Sequence, residues 1–113
     1  MNSVSKSDID KKIGKVLREF RLKNKLTQED LAEKLGISLK YISRIENGNN
    51  GVKTENLIKY MNLLGITPNV IFKPFINNKE IVENVKISEK IDKLSKEKKE
   101  FVKSVINLLE ELN

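Results

Sequence analysis

The feature that most constrains this chain is a short helical segment that stops at a single glycine. Thr27 is a suitable N-cap, and Asp30 stands three residues later, where a capping box places its second partner, usually Glu or Gln. Leu31 and Leu35 recur at helical spacing. Gly36 follows, and glycine readily takes the left-handed backbone conformation of a sharp turn. The pattern predicts a helix of about two turns that ends at Gly36.

A second short helix is predicted directly after that turn. Ser38 is its N-cap, the segment runs to residue 46, and Asn47-Gly48 ends it. Two short helices joined by a tight glycine turn are typical of helix-turn-helix geometry. Small or apolar residues occupy fixed offsets within a twenty-residue unit counted from residue 28, namely Leu31, Ala32, Leu35, Gly36, Ile37, Ile42 and Ile45. Agreement at this many offsets is specific, although any one of them is common.

Three further helices are predicted around this pair. Apolar residues at helical spacing predict a helix over 7–23, with Ser7 as its N-cap. Thr54 is predicted to cap a fourth helix that ends at Gly65. Thr67-Pro68 then begins a short fifth helix, because proline is well tolerated at the first helical position.

The rest of the chain is predicted to form a helical hairpin of roughly 78–94 and 95–112. The expected fold is therefore all-α. A five-helix, repressor-type helix-turn-helix domain occupies residues 1–75, and a C-terminal helical segment occupies residues 76–113.

Composition limits the chemistry that such a chain can perform. Its 113 residues include 22 Lys plus Arg and 16 Asp plus Glu, with no His and no Cys. Cys/His zinc sites, disulfides, haem histidine ligands and triads that need either residue are excluded. No spacing of carboxylates suggests acid–base catalysis, so we expect a protein that is not an enzyme and that uses no metal and no cofactor.

The net charge of +6 favours a polyanionic partner. All of this net charge belongs to residues 1–75, which carry 14 basic and 8 acidic side chains, whereas residues 76–113 carry 8 of each. Chance is one explanation of this segregation. The functional interpretation is that the first segment binds a polyanion and the second binds protein.

The run over residues 26–48, LTQEDLAEKLGISLKYISRIENG, resembles the phage-repressor, Cro-type (XRE-type) helix-turn-helix transcriptional regulator family. The resemblance covers residues 9–72, roughly 60% of the chain. It implies a compact bundle of five helices whose third helix, residues 38–46, enters the major groove of double-stranded DNA.

Base contacts are predicted from the face of the third helix that lies opposite Ile42 and Ile45. Lys40 and Arg44 can donate to guanine, Ser43 can pair with either base edge, and Leu39 can touch a thymine methyl group. A solvated helix face is the alternative for the two basic residues. For Ser38 an N-cap is the preferred role, and a base contact is compatible with it.

Phosphate contacts are predicted at the start of the second helix, at Thr27 and Gln28. Further candidates are Tyr41, Asn47, Asn49 and Lys53. For Gln28 the contact is implied by the family resemblance. The stretch over residues 47–53 departs in detail from the family pattern, because residues 49–51 stand in a loop that in the family is more often basic and contains proline. The resemblance also implies a partly buried ion pair between Arg21 and Glu46, which makes Glu46 structural.

The last predicted helix has an apolar stripe too wide for packing on one neighbour. Its residues fall in two rows, Phe101, Val105, Leu108 and Leu112 in one and Val102, Ile106 and Leu109 in the other. A homodimer interface is the preferred interpretation, since Cro-type domains commonly bind two half-sites. The alternative is a hairpin that packs on its own DNA-binding domain in a monomer.

Together these patterns predict a homodimeric, sequence-specific DNA-binding regulator, more specifically a repressor that binds a palindromic operator. The alternative is an antitoxin or a regulator controlled by an antagonist protein, whose C-terminal helices bind a different protein. The N-terminus lacks an apolar export segment, and no apolar run approaches the length of a spanning helix. We therefore expect a cytoplasmic protein with no membrane partner.

Overall fold

A computed structural model describes residues 5–112. Within this range, N-capping residues and apolar residues at helical spacing give seven helices. They are α1 Lys6–Lys23, α2 Gln28–Leu35, α3 Leu39–Glu46, α4 Thr54–Leu64, α5 Pro68–Phe72, α6 Lys79–Asp92 and α7 Lys96–Glu111, with a 3-10 turn over Lys73–Phe75. Residues 5–112 contain no strand. The predicted all-α fold is confirmed.

Two predicted caps are wrong. The hydroxyl of Ser5 accepts the backbone N–H of Asp8 at 3.1 Å, so the N-cap of α1 lies two residues earlier than predicted and Ser7 lies inside the helix. Thr54 is the first residue of α4, and Lys53 occupies the N-cap position without a side-chain cap. There the backbone N–H of Lys53 donates to the hydroxyl of Tyr41 at 3.1 Å, a tertiary contact that local sequence does not reveal.

The turn between α2 and α3 follows the predicted chemistry. Gly36 has φ +68°, in the left-handed region, and the backbone N–H of Ile37 donates to the carbonyl of Ala32 at 3.1 Å. The hydroxyl of Ser38 accepts the N–H of Tyr41 at 3.1 Å and starts α3. The turn and the Ser38 cap therefore fix the direction in which α3 leaves α2, and one face of α3 packs against the core.

The core of residues 5–75 comes from all five helices of that segment. Its buried apolar residues are Ile13, Leu17, Leu31, Leu35, Ile42, Ile45, Leu57, Tyr60, Leu64, Ile66 and Ile71. Each lies on the inward stripe of an amphipathic helix or at a helix end, as hydrophobic burial requires.

Close packing of α1 on α3 depends on Gly14, which is buried in the middle of α1. A Cβ at this position would overlap the carbonyl oxygen of Ile45 and would lie 3.3 Å from that of Glu46. Glycine costs about 1 kcal/mol in a helix interior relative to alanine, so its presence there indicates a close approach of backbones. Gly14 thereby sets the distance between α1 and the C-terminal end of α3.

The described residues divide into two units between Phe75 and Ile76. The second unit consists of α6 and α7, which Lys93, Leu94 and Ser95 join, and Ser95 caps α7 by accepting the N–H of Lys98 at 3.3 Å. Neither helix contains a buried residue. Among residues 5–112, no helix combines the length and apolar character needed to span a membrane.

Candidate nucleic-acid interface

The outer face of α3 presents the predicted base-reading side chains. Leu39, Lys40 and Arg44 are exposed and Ser43 is half-buried, and these four residues form what we call the recognition face. Ile42 and Ile45, on the opposite side, are almost completely inaccessible. Since α3 has one face locked in the core, the recognition face is presented by a rigid element, as groove reading requires.

A shallow groove brings part of the recognition face together with the neighbouring loop. It is lined by Ser38, Lys40, Tyr41, Arg44 and Asn50. One concave surface thus contains the predicted base contacts Lys40 and Arg44. The capping Ser38 and the predicted phosphate contact Tyr41 line the same surface. The sequence reasoning missed Asn50, because nothing local indicates that the loop after α3 returns beside its own helix.

The first turn of α2 is stabilised by a complete capping box. The N–H of Thr27 donates to the Asp30 carboxylate at 2.9 Å, and the N–H of Asp30 donates to the Thr27 hydroxyl at 3.0 Å. The first of these hydrogen bonds is the main cause of the lowered pKa of Asp30. Thr27 is exposed, and its hydroxyl already serves as an acceptor within the cap. In a phosphate contact the Thr27 hydroxyl would therefore donate its O–H hydrogen to a phosphate oxygen.

Beneath α2 and α3 lies the buried ion pair that joins them to α1. The Nε of Arg21 donates to Glu46 at 2.8 Å, and its Nη2 donates to the other carboxylate oxygen at 2.9 Å. The remaining Nη1 donates to the carbonyl of Leu26 at 2.7 Å. Hydrogen bonding to Glu46 raises the pKa of Arg21 above its ordinary value. The bidentate geometry fixes the C-terminal end of α3 against α1.

Gln28 is part of this network. Its Nε2 donates to Glu46 Oε1 at 3.1 Å, and the residue is half-buried. An amide nitrogen has two hydrogens, so Gln28 can donate one to Glu46 and the other outwards. Gln28, which the family resemblance implies as a phosphate contact, is thus also held in place by its hydrogen bond to Glu46.

Tyr41 and Lys53 lie together in a second groove, beside the start of α4. Besides the N–H of Lys53, the Tyr41 hydroxyl has a donor in Asn56 Nδ2, at 3.5 Å. With its acceptor side occupied, this hydroxyl can donate outwards, and Lys59 from the next turn of α4 lines the same groove. Sequence reasoning missed Asn56 and Lys59, whose positions depend on how α4 packs.

Asn47 and Asn49 lie at the other end of α3. Asn47 is its C-cap, and the N–H of Asn49 donates to the carbonyl of Arg44 at 2.9 Å. Both residues are exposed. The predicted phosphate contacts thus divide into a group near the N-terminal ends of α2, α3 and α4 and a pair near the C-terminal end of α3, where the helix dipole is unfavourable for anions.

The helix-turn-helix family model matches residues 17–71, from the middle of α1 into α5. The restriction-modification controller protein C.AhdI from Aeromonas hydrophila is 35% identical, and the match covers 56% of this chain and 96% of that one, with a TM-score of 0.52. The chain belongs to the XRE-type (Cro-type) helix-turn-helix family.

A second restriction-modification controller protein, C.Esp1396I, supports the same assignment. Its wild-type structure is 33% identical, covering 66% of this chain and 95% of the controller, with a TM-score of 0.52. No curated protein sequence matches the chain. As a family member, the protein is a DNA-binding transcriptional regulator. The family model stops before α6 and α7.

Proposed function

We propose that this protein is a homodimeric transcriptional repressor that reads a palindromic operator with α3 in the major groove. The observation that supports it best is the recognition face. Its two basic side chains are exposed, and they belong to a helix whose other face is buried. The bidentate Arg21–Glu46 pair holds the end of that helix, so the recognition face has one defined orientation.

Each side chain of the recognition face has a role that follows from its chemistry. Lys40 and Arg44 donate to guanine O6 and N7, and Arg44 can do so with two parallel hydrogen bonds. Ser43 pairs with either base edge, and Leu39 contacts a thymine methyl group. Ser38 acts as the N-cap that fixes the start of the helix.

Phosphate contacts position the recognition helix on the duplex. Thr27 and Gln28 approach one strand at the N-terminus of α2, and Tyr41 and Lys53 approach phosphate at the start of α4. The net charge of +6, all of it within residues 1–75, supplies the attraction that does not depend on sequence. Asn47 and Asn49 contribute less, because they lie near the C-terminal end of α3.

Removing either basic side chain of the recognition face should weaken specific binding. We expect Lys40→Ala and Arg44→Ala each to cost roughly 1–3 kcal/mol of binding free energy, because each removes a donor to a base edge. The measurement is titration of DNA recovered by in vitro selection, alongside a scrambled duplex. Since both residues are exposed, the free energy of unfolding should change little.

Lys15→Ala is the matched control, since it removes an exposed positive charge from α1. It should lower the affinity for both duplexes slightly and equally, through the electrostatic contribution alone. If Lys40→Ala and Arg44→Ala behave like this control, α3 does not read the bases and the proposed assignment is wrong.

Dimerisation is assigned to the second unit, because every apolar side chain of α7 except Val102 is exposed in a single chain. Two copies joined there would present two recognition helices, and half-sites on one side of the duplex are about 34 Å apart. The operator would then be palindromic, mirroring the two-fold symmetry of the protein. Repression needs only occupancy of such a site, so a repressor of this kind requires no activating surface.

Truncation after Phe75 should separate DNA binding from self-association. The first unit has its own apolar core, so we expect the shortened chain to stay folded and to sediment as a monomer, while the full chain sediments as a dimer. Its affinity for a single half-site should persist, and its affinity for the full palindrome should fall to that level. A truncated chain that remains dimeric would contradict the assignment of the interface to α6 and α7.

A second candidate function rests on the same exposed apolar side chains. An antitoxin, or a regulator held by an antagonist, would use α6 and α7 to bind a different protein. The similar structures are those of controller proteins, which favours a regulatory role without deciding between these two candidates. Sedimentation of the purified full chain separates them, since the second candidate predicts a monomer until its partner is added.

A further inference from the structure

The turn that ends α3 lies directly against the first half of α1. A Cβ added to Gly48, which follows the C-cap of α3, would lie 2.8 Å from the Cα of Lys11 and 2.6 Å from its Cγ. Gly48 is buried and has φ +75°, whereas Lys11 is exposed. The stem of Lys11 therefore packs on the turn, and its charged end remains accessible at the C-terminal end of α3.

The turn itself has no positive charge. Residues 47–52 contain only asparagine, glycine and valine. The next basic residue along the chain, Lys53, lines the groove beside the start of α4 together with Tyr41. Lys11 thus places a positive charge, from a different helix, at a position where the turn following α3 carries none.

The same turn is continuous with the recognition face. Asn47 follows Arg44 by three residues and Ser43 by four, and residues with this spacing are neighbours on one side of a helix. Asn47 is exposed. The eight residues of α3 span about 12 Å, which is similar to the width of the major groove. A recognition helix of this length in the groove has backbone phosphates near both of its ends.

A phosphate at the C-terminal end of α3 meets the negative end of the helix dipole. The neutral amides of Asn47 and Asn49 do not offset that charge, whereas an ammonium group both offsets it and attracts the phosphate. Within residues 5–112, Lys11 forms no ion pair that would compete for its charge. The adjacent Asp10 lines a cleft with Ile13 and is turned to another side of α1.

We propose that Lys11 binds a backbone phosphate of the operator at the C-terminal end of α3, so that α1 supplies the charge that the following turn lacks. This inference rests on the proposed reading of the major groove by α3. It adds a contact from a helix outside the helix-turn-helix pair. The contact positions α3 on the duplex and carries no base preference, because every nucleotide presents the same phosphate.

Lys11→Met tests the contact, since methionine keeps an unbranched stem on Gly48 and removes the charge. The affinity should fall about three- to tenfold for the DNA recovered by in vitro selection and for a scrambled duplex alike. The slope of log affinity against log salt concentration should become smaller by about one, because one fewer counterion is released. Lys11→Arg keeps the charge and should retain both the affinity and the slope.

Lys12→Met is the matched control. Lys12 is the next residue of α1 and is also exposed, but it points about 100° further around the helix. Its Nζ lies 5.9 Å from the centre of the Phe75 ring. Its loss should lower the affinity less than about twofold and leave the salt slope almost unchanged. If Lys11→Met and Lys12→Met give the same affinity and the same slope, the inference is wrong.

Thermal unfolding distinguishes this contact from a purely structural role. A lysine at the C-terminal end of α3 also stabilises that helix, so Lys11→Met should lower the unfolding midpoint slightly. If stabilisation were its whole role, binding measured well below the midpoint would equal that of Lys12→Met. A lower affinity and a smaller slope of the fully folded variant are the expected results.

Neutral phosphates locate the contact on the DNA. Selected duplexes with one phosphate replaced by a methylphosphonate should reveal a position beside the half-site where the original protein and Lys12→Met lose affinity. Lys11→Met should lose no further affinity there, and the lack of any such position would overturn the inference. If Lys40→Ala and Arg44→Ala keep full affinity and preference, the proposed reading by α3 is itself refuted. If those two variants respond as expected and Lys11→Met does not, only the Lys11 contact is refuted.

Discussion

Arg21→Met should destabilise the first unit by about 3–5 kcal/mol, the largest effect we expect from a single side chain. The change leaves the Glu46 carboxylate without its ionic partner in a position where only 1% of the side chain is accessible. It also removes the donor to the carbonyl of Leu26. Chemical denaturation, followed by helical circular dichroism, measures the loss.

Three further variants serve as comparisons for the stability of Arg21→Met. Arg18→Met, at an exposed position of the same helix, should change the free energy of unfolding by less than about 0.5 kcal/mol. Arg21→Lys should lie between the two, because one ammonium group cannot reproduce the bidentate contact and the Leu26 contact together. The double variant Arg21→Met/Glu46→Leu should recover part of the loss, because no buried charge is then left unpaired. Equal stability of Arg21→Met and Arg18→Met would show that the pair contributes nothing.

Gly14→Ala should also destabilise the unit, by about 1–3 kcal/mol, although alanine is normally the better helix former by about 1 kcal/mol. The added methyl group would overlap the carbonyl oxygen of Ile45. That carbonyl accepts the N–H of Gly48 at 3.0 Å, so it cannot move without disturbing the end of α3. Thermal unfolding gives the stability, and amide chemical shifts should locate the change in α1 and at the C-terminal end of α3.

Gly51→Ala is the matched control for Gly14→Ala. Its added methyl group would meet only the Asp10 carboxylate, at 3.0 Å, and that flexible side chain can move aside. We expect almost no change in its stability. If Gly14→Ala is as stable as the original protein, α1 and α3 have room to separate and the close approach does not constrain the recognition helix.

The α2–α3 region shows how much of a site the sequence can define. Caps and turns depend on residues within a few positions of each other, and for this reason the Thr27–Asp30 capping box, Gly36 and the Ser38 cap were predictable. The exposed recognition face follows equally from helical periodicity, because Ile42 and Ile45 fix which side of α3 is buried. The α1 cap was predicted wrongly because Ser5 and Ser7 are both good capping residues, and propensity alone does not choose between them. The α4 cap was predicted wrongly because Lys53, a poor capping residue, takes the N-cap position, where its N–H donates to the Tyr41 hydroxyl.

Other parts of the site depend on residues distant in sequence. Gln28 joins the ion pair because α2 passes over the end of α3. Tyr41, Asn56 and Lys59 share a groove because α4 packs beside the start of α3. A glycine inside the α1 pattern was a usable signal for a close approach of helices, whereas no local signal indicates the position of Asn50 beside its own helix.

By itself, the sequence determined the all-α class, the helix-turn-helix and the segregation of net charge, because each follows from residues near one another or from counting. Only the tertiary structure decided which polar groups meet: Arg21 with the Leu26 carbonyl and Gln28 with Glu46. It also decided that Gly14 lies against the backbone of α3, and that the apolar residues of α7 other than Val102 remain exposed. The physical reason is that side-chain contacts between helices depend on crossing angles and distances, which packing of the whole core sets at once.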